Sequence, residues 1–231
     1  MGEIYWLIQT LADVSRDDSW LSAREQAIAS RMYFEKRRQD WRLGRWAAKQ
    51  TVLRYLKLRP DPAVASSLEI IAAPDGAPEA FLHEKPAPIS LSISHSAGTA
   101  FCAVCSAGIP LGCDLEEIRP REANFAADYL TCEELLAVEK AGHADRDLLI
   151  TLIWSAKESV LKALRHGLRR DTRSVQVLPH ITIGKNWSPL AAVDLETAHS
   201  FHGWWRAEED RVQTIASDVA TRPPVEILVG P

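Results

Sequence analysis

Several groups of side chains have types and spacings suited to chemistry on phosphate. Asp114 and Glu116 stand two apart in a stretch with strand character, so alternation puts both carboxylates on one face while Leu115 turns into the core. An isolated Asp-x-Glu more often decorates a solvent face. Here, however, the preceding run Ile109 to Cys113 has buried character, and Gly112 allows something to approach the backbone closely. Trp154, Glu158 and Lys162 recur at i, i+4 and i+8 in the strongest helical segment, which lines them along one side. Glu158 and Lys162 in that order would also make an ordinary surface ion pair, but a tryptophan heading the stripe argues that the side is at least half buried. Brought near Asp114 and Glu116, Glu158 would complete an all-oxygen site suited to Mg²⁺.

Arg38, Arg42, Arg45 and Lys49 step by four, three and four along an early helix, with Gly44 among them. Basic stripes are usually solvated faces. From Arg31 to Arg59, though, ten basic residues stand against Glu35 and Asp40, inside a chain whose 27 Lys and Arg and 31 Asp and Glu give a net charge of −4. Such a concentration suits several phosphates, with arginine forks giving bidentate contacts and Gly44 permitting close approach. Overall acidity and the lack of a recognised motif count against nucleic acid and against an anionic membrane surface. Ser92, Ser94, His95 and Ser96 end a strand. No Gly-x-Ser-x-Gly elbow accompanies them, which weakens a Ser-His nucleophile; the histidine could simply cap the loop, and one donating to phosphate is compatible with the basic stripe.

The elements that must carry these residues are readable in outline. A Ser22-x-x-Glu25 capping box opens a helical pair or one bent helix to about Leu58, before Pro60 and Pro62. Strands follow at 67–73 and 80–83 around Pro74-Asp75-Gly76, then at 89–94, 99–106 and 109–118. Residues 123–130 turn helical, Thr131-x-x-Glu134 is a second capping box, and Asp147 to about Arg165 is a helix with Gly167 as its C′ glycine. Strands at 174–178, 180–183, 190–195, 202–207, 212–217 and 225–229 complete the chain. Helices followed by strands occur on both sides of Gly108 to Gly112, which predicts two α+β halves, 1–108 and 109–231, with a site where they meet. At 231 residues with 46% apolar and 25% charged residues the chain is globular, and without an apolar run of about 18 residues or a basic leader it reads as cytoplasmic. Cys102, Cys105, Cys113 and Cys132 sit in apolar company as small buried hydrophobes; Cys102 and Cys105, three apart on a strand, point to opposite faces.

Taken together these segments resemble the Sfp-type 4′-phosphopantetheinyl transferases. The resemblance rests on Trp41 to Lys49, Asp75-Gly76-Ala77-Pro78, Ser92 to Ser96, Leu111 to Glu116, Phe125 to Glu134 and Trp154 to Lys162, in the family's order. It implies a monomer built as a pseudo-twofold pair of α+β subdomains, each with helices on a small, mostly antiparallel sheet, holding coenzyme A and Mg²⁺ in the cleft between them. It further implies transfer of the phosphopantetheine arm from coenzyme A to a serine of an acyl or peptidyl carrier protein in fatty acid, polyketide or nonribosomal peptide biosynthesis. Carried over residue by residue, Asp114, Glu116 and Glu158 are metal ligands and Glu158 and Lys162 are catalytic. Arg38, Arg42, Arg45, Lys49, Ser94, His95, Asp114, Lys157 and Lys162 bind the coenzyme. Ala77 replaces a family lysine and Cys113 a branched aliphatic. The rival expectations are a Mg²⁺-dependent nuclease and a non-catalytic module that binds a carrier protein or RNA.

Overall fold

The computed structural model describes residues 2–179 and 186–228, the side chains of 143, 144, 178 and 179 excepted; the predicted strand at 180–183 lies outside the described residues. Chain order is β1 (Tyr5–Thr10), α1 (Ala23–Ala29), α2 (Glu35–Tyr55), α3 (Pro62–Ser66), β2 (Leu68–Ala72), β3 (Pro78–Leu82), β4 (Lys85–Pro86), β5 (Ile89–Ser96) and β6 (Thr99–Ser106). There follow β7 (Leu111–Glu117), α4 (Phe125–Tyr129), α5 (Cys132–Lys140), α6 (Gly142–Ala163), β8 (Val175–Pro179), β9 (Ser188–Asp194), β10 (His199–Glu208), β11 (Arg211–Ser217) and β12 (Val225–Glu226).

Both capping boxes form. Glu25 N donates to Ser22 Oγ (3.2 Å) while Ser22 N donates to Glu25 (3.0 Å), and Thr131 and Glu134 repeat the exchange at 3.3 and 2.7 Å. The stretch after Ser22 is a helical pair, because the chain leaves helical geometry after Ser30 and restarts at Glu35. Gly142, at φ +77, supplies the left-handed residue at which α5 gives way to α6. Helix α6 ends earlier than expected. Arg165 N bonds Lys162 O and His166 N bonds Leu161 O, a Schellman closure that puts Arg165, not Gly167, in the C′ position with φ 59.

The strands make three sheets: β12-β1-β6-β5, the antiparallel β7-β11-β10-β9-β8, and β2-β3-β4. Helix α2 covers the first and third, α6 the second, and a separate apolar cluster of Ile4, Trp6, Phe101, Cys105, Cys113, Leu115 and Ile215 joins the two faces. Cys102 lies in the α2 core and Cys105 in this joining cluster, on opposite faces of β6 as alternation requires. Cys132 is exposed, contrary to expectation, because it occupies the first turn of α5 on the solvent side.

The pairing pattern recurs. β1 pairs antiparallel with β6 and β6 with β5; β7 pairs with β11 and β11 with β10; β2 with β3 matches β8 with β9. The recurrence makes the fold a pair of similar α+β halves, although β12 crosses back to run parallel with β1 in the first half's sheet. No helix among the described residues is long and apolar enough to cross a membrane.

Candidate active site

At Gly112 a Cβ would lie 1.8 Å from Ser159 O, so only glycine lets α6 settle this closely on β7. That approach lays Trp154, Glu158 and Lys162 over the face of β7 that carries Asp114 and Glu116, while Leu115 enters the joining core. Trp154 Nε1 donates to Glu116 Oε1 at 3.0 Å, and Arg121 Nη2 donates to Glu116 Oε2 at 2.9 Å. Lys162 Nζ donates to Asp114 Oδ1 (2.7 Å) and to Cys113 O (3.1 Å), and lies 3.5 Å from Glu158 Oε2. Ser94 Oγ, from β5, also donates to Asp114 Oδ1, at 2.7 Å.

Asp114 is 2% exposed, and its Oδ2 is buried with no hydrogen-bond partner among the described residues. Burial, aided by the charges of Asp114 and Glu116, pushes the Glu158 carboxyl up to about 7 against the pull of Lys162. Burial alone would depress Lys162, but Asp114 and Glu158 more than offset it and raise it above the ordinary lysine range. Three carboxylates, Asp114, Glu116 and Glu158, thus face two cations, Lys162 and Arg121, across this seam. Among the described residues no group of three His, Cys, Asp or Glu side chains is gathered closely enough to hold a metal ion; Lys162 pairs with Asp114 Oδ1, and Arg121 and Trp154 take the two oxygens of Glu116.

The basic stripe on α2 exists, but much of it is engaged by protein. Arg38 and Arg42 both pair with Asp18, and Arg42 Nη2 donates to Ser15 O at 2.7 Å. Lys49 is wholly buried, 2.5 Å from Glu25 and donating to Trp20 O (3.0 Å) and Ala65 O (2.8 Å); burial depresses its pKa and Glu25 opposes that. These side chains tie α2 to the 15–25 segment, so the structure does not bring Arg38, Arg42 or Lys49 to a ligand cleft. Lys157 is likewise fully buried, 2.7 Å from Glu134, with Thr172 O and Val175 O as further acceptors.

The neighbouring face of α2 does meet a cleft, of about 720 Å³, lined by Lys36, Arg37, Trp41, Arg45, Gly76 and His95. Arg45 donates through Nε to Ile70 O (3.0 Å) and stacks over Trp41 (4.8 Å). His95 is exposed at the rim. Gly44 is not sterically required, since a Cβ there would meet Ile93 at an ordinary 3.6 Å. Sequence reasoning missed Lys36 and Arg37; the signal was the spacing Arg37, Trp41, Gly44, Arg45, a second stripe beside the first. Gly76, Pro78 and Ile93 also border a larger cleft of about 1070 Å³, which has Lys162 in its wall.

Comparison with known proteins agrees with this seam. Residues 110–216, from the start of β7 through most of β11, match the family model for the 4′-phosphopantetheinyl transferase superfamily. Over 167 residues the chain is 26% identical to a protein of Synechocystis sp. (strain ATCC 27184 / PCC 6803 / Kazusa) named "Putative 4′-phosphopantetheinyl transferase slr0495". That match covers 71% of this chain and 64% of the relative, so less than two thirds of the relative's length is represented.

Proposed function

We propose that this chain, whose residues 110–216 match the family model for the 4′-phosphopantetheinyl transferase superfamily, transfers the 4′-phosphopantetheine arm of coenzyme A to a serine of an acyl or peptidyl carrier protein. The observation that carries the reading is Lys162: bound to Asp114 and facing Glu158, it stands in the wall of a cleft that shares Gly76, Pro78 and Ile93 with a second cleft rimmed by Lys36, Arg37, Arg45 and His95. A donor with a 3′-phosphate at one end and a reacting pyrophosphate at the other would span the two, with the cations of α2 on the first and Lys162 on the second.

The carrier serine Oγ attacks the β-phosphorus, and the bond from that phosphorus to the bridging oxygen of 3′,5′-ADP breaks. Glu158, 3.5 Å from Lys162 on the same helix face, receives the serine proton. Lys162 stabilises the oxyanion of the departing 3′,5′-ADP. The unpartnered, buried Asp114 Oδ2, with Glu116 and Glu158 on the same seam, suits a divalent cation. Asp114, Glu116 and Glu158 would hold Mg²⁺, whose contribution is to neutralise charge on the phosphate oxygens. We place the enzyme in the cytoplasm as a monomer acting in fatty acid, polyketide or nonribosomal peptide biosynthesis.

The test is incubation with coenzyme A, Mg²⁺ and a panel of carrier proteins, followed by mass spectrometry. Addition of the arm to a carrier, with 3′,5′-ADP appearing in equal amount, is expected. No addition to any carrier, or cleavage of nucleic acid under the same conditions, overturns the reading.

A further inference from the structure

We infer that Arg165 and Arg169 form a clasp across the larger cleft, and that this clasp sets the spacing between the α2 cations and Lys162; the inference rests on the donor-binding reading above. Arg165 lies three residues beyond Lys162, just past the end of α6. Its Nε donates to Asp75 Oδ2 (2.6 Å) and its Nη2 to Asp75 Oδ1 (3.2 Å) and Glu79 Oε1 (2.8 Å). Arg169 Nη1 donates to Asp75 O at 2.6 Å, and its Nη2 donates back to Arg165 O at 2.9 Å. Asp75 Oδ1 in turn accepts from Ala77 N at 3.0 Å, so the carboxylate gripped from the second half also shapes the turn of the first.

That turn carries Gly76, which borders both clefts. A lone exposed ion pair holds little, but a two-pronged fork on one carboxylate, shared with a second guanidinium on the adjoining carbonyl, fixes direction as well as distance. The backbone supports a purpose beyond helix termination. Arg165 occupies a left-handed position that glycine adopts without strain. Lys57 holds the same place after α2, with φ 58 and the same pair of closing bonds, yet it borders a different cleft, beside Tyr55 and Glu226. It is an internal control.

The experiment compares wild type, Arg165→Gly and Lys57→Gly by thermal melting, by calorimetric titration with coenzyme A, and by hydrogen exchange of the 73–79 segment without ligand. Glycine relieves the backbone in both variants, so neither should melt below wild type. Arg165→Gly should bind coenzyme A about tenfold more weakly and exchange faster at 73–79, whereas Lys57→Gly should change neither. Unchanged exchange in Arg165→Gly overturns the clasp, as does unchanged affinity. A wild type that does not bind coenzyme A overturns the proposed function instead, and the exchange measurement then still decides whether the clasp exists.

Discussion

The two halves place different side chains at equivalent points of the same seam, and this separates scaffold from site one residue at a time. Trp46 Nε1 donates to Gln9 Oε1 at 2.9 Å on β1, as Trp154 does to Glu116 on β7. Gln50, four residues beyond Trp46, accepts from Arg54, where Glu158 faces Lys162; Leu7 stands two residues before Gln9, where Asp114 precedes Glu116. The tryptophans are common to both halves and the carboxylates belong to one. Glu116→Gln should therefore keep its bond to Trp154 and melt within a few degrees of wild type, as the Gln9 pairing implies. It should nevertheless raise the Mg²⁺ concentration that half-saturates transfer; an unchanged titration would remove Glu116 from the metal. Glu158→Gln removes a partly buried carboxyl whose ionisation its surroundings already disfavour, so stability should hold while turnover falls by about 100-fold or more. Circular dichroism melting and a steady-state transfer assay check the pair of outcomes, and near-normal turnover would exclude Glu158 as the base.

At the scale of elements, local rules carried far and then stopped at a definite place. Period-two alternation put Asp114 and Glu116 on one face, the i+4 rule aligned Trp154, Glu158 and Lys162, both capping boxes fixed helix starts, and Gly112 marked the close approach of α6. Each is a statement about neighbours in the chain. Which side of α2 meets protein is not such a statement. Arg38, Arg42, Arg45 and Lys49 do share a stripe, but Asp18 and the capping glutamate Glu25 claim much of it, and those partners are set by tertiary packing. The end of α6 differs from the glycine rule in another way: Gly167 also has a positive φ, but Arg165 takes the C′ position two residues earlier. The two faces of α2 should now behave differently. Arg37→Ala, on the cleft side, should raise the Michaelis constant for coenzyme A with little change in melting temperature, at a cost of roughly 1.5 kcal/mol or more for one charge-assisted bond. Arg42→Ala should lower the melting temperature and leave that constant unchanged. A Michaelis constant that responds to Arg42 and not to Arg37 would return the phosphate to the stripe engaged by protein.

The whole molecule is held by a device used twice. In the first half Glu25, from a capping box, receives Lys49 and accepts from Ile70 N (3.0 Å) on β2; in the second, Glu134 from the other box receives Lys157 and accepts from Val177 N (2.7 Å) on β8. Each lysine crosses from the long helix to the capped one, and each glutamate carries the link on to a strand, so one buried pair joins three elements in each half. Burial lowers the pKa of both lysines, and the partner carboxylates oppose that shift. Replacing either lysine leaves a buried carboxylate without its cation, which costs about 3–5 kcal/mol. Lys49→Met and Lys157→Met should therefore lose similar stability in urea or thermal unfolding. The two pairs share no partner, so the double variant should lose close to the sum. Donor affinity measured well below the unfolding transition should stay near wild type in both single variants. A selective loss of coenzyme A binding in Lys157→Met, with stability intact, would instead make that lysine part of the donor site and break the equivalence of the two halves.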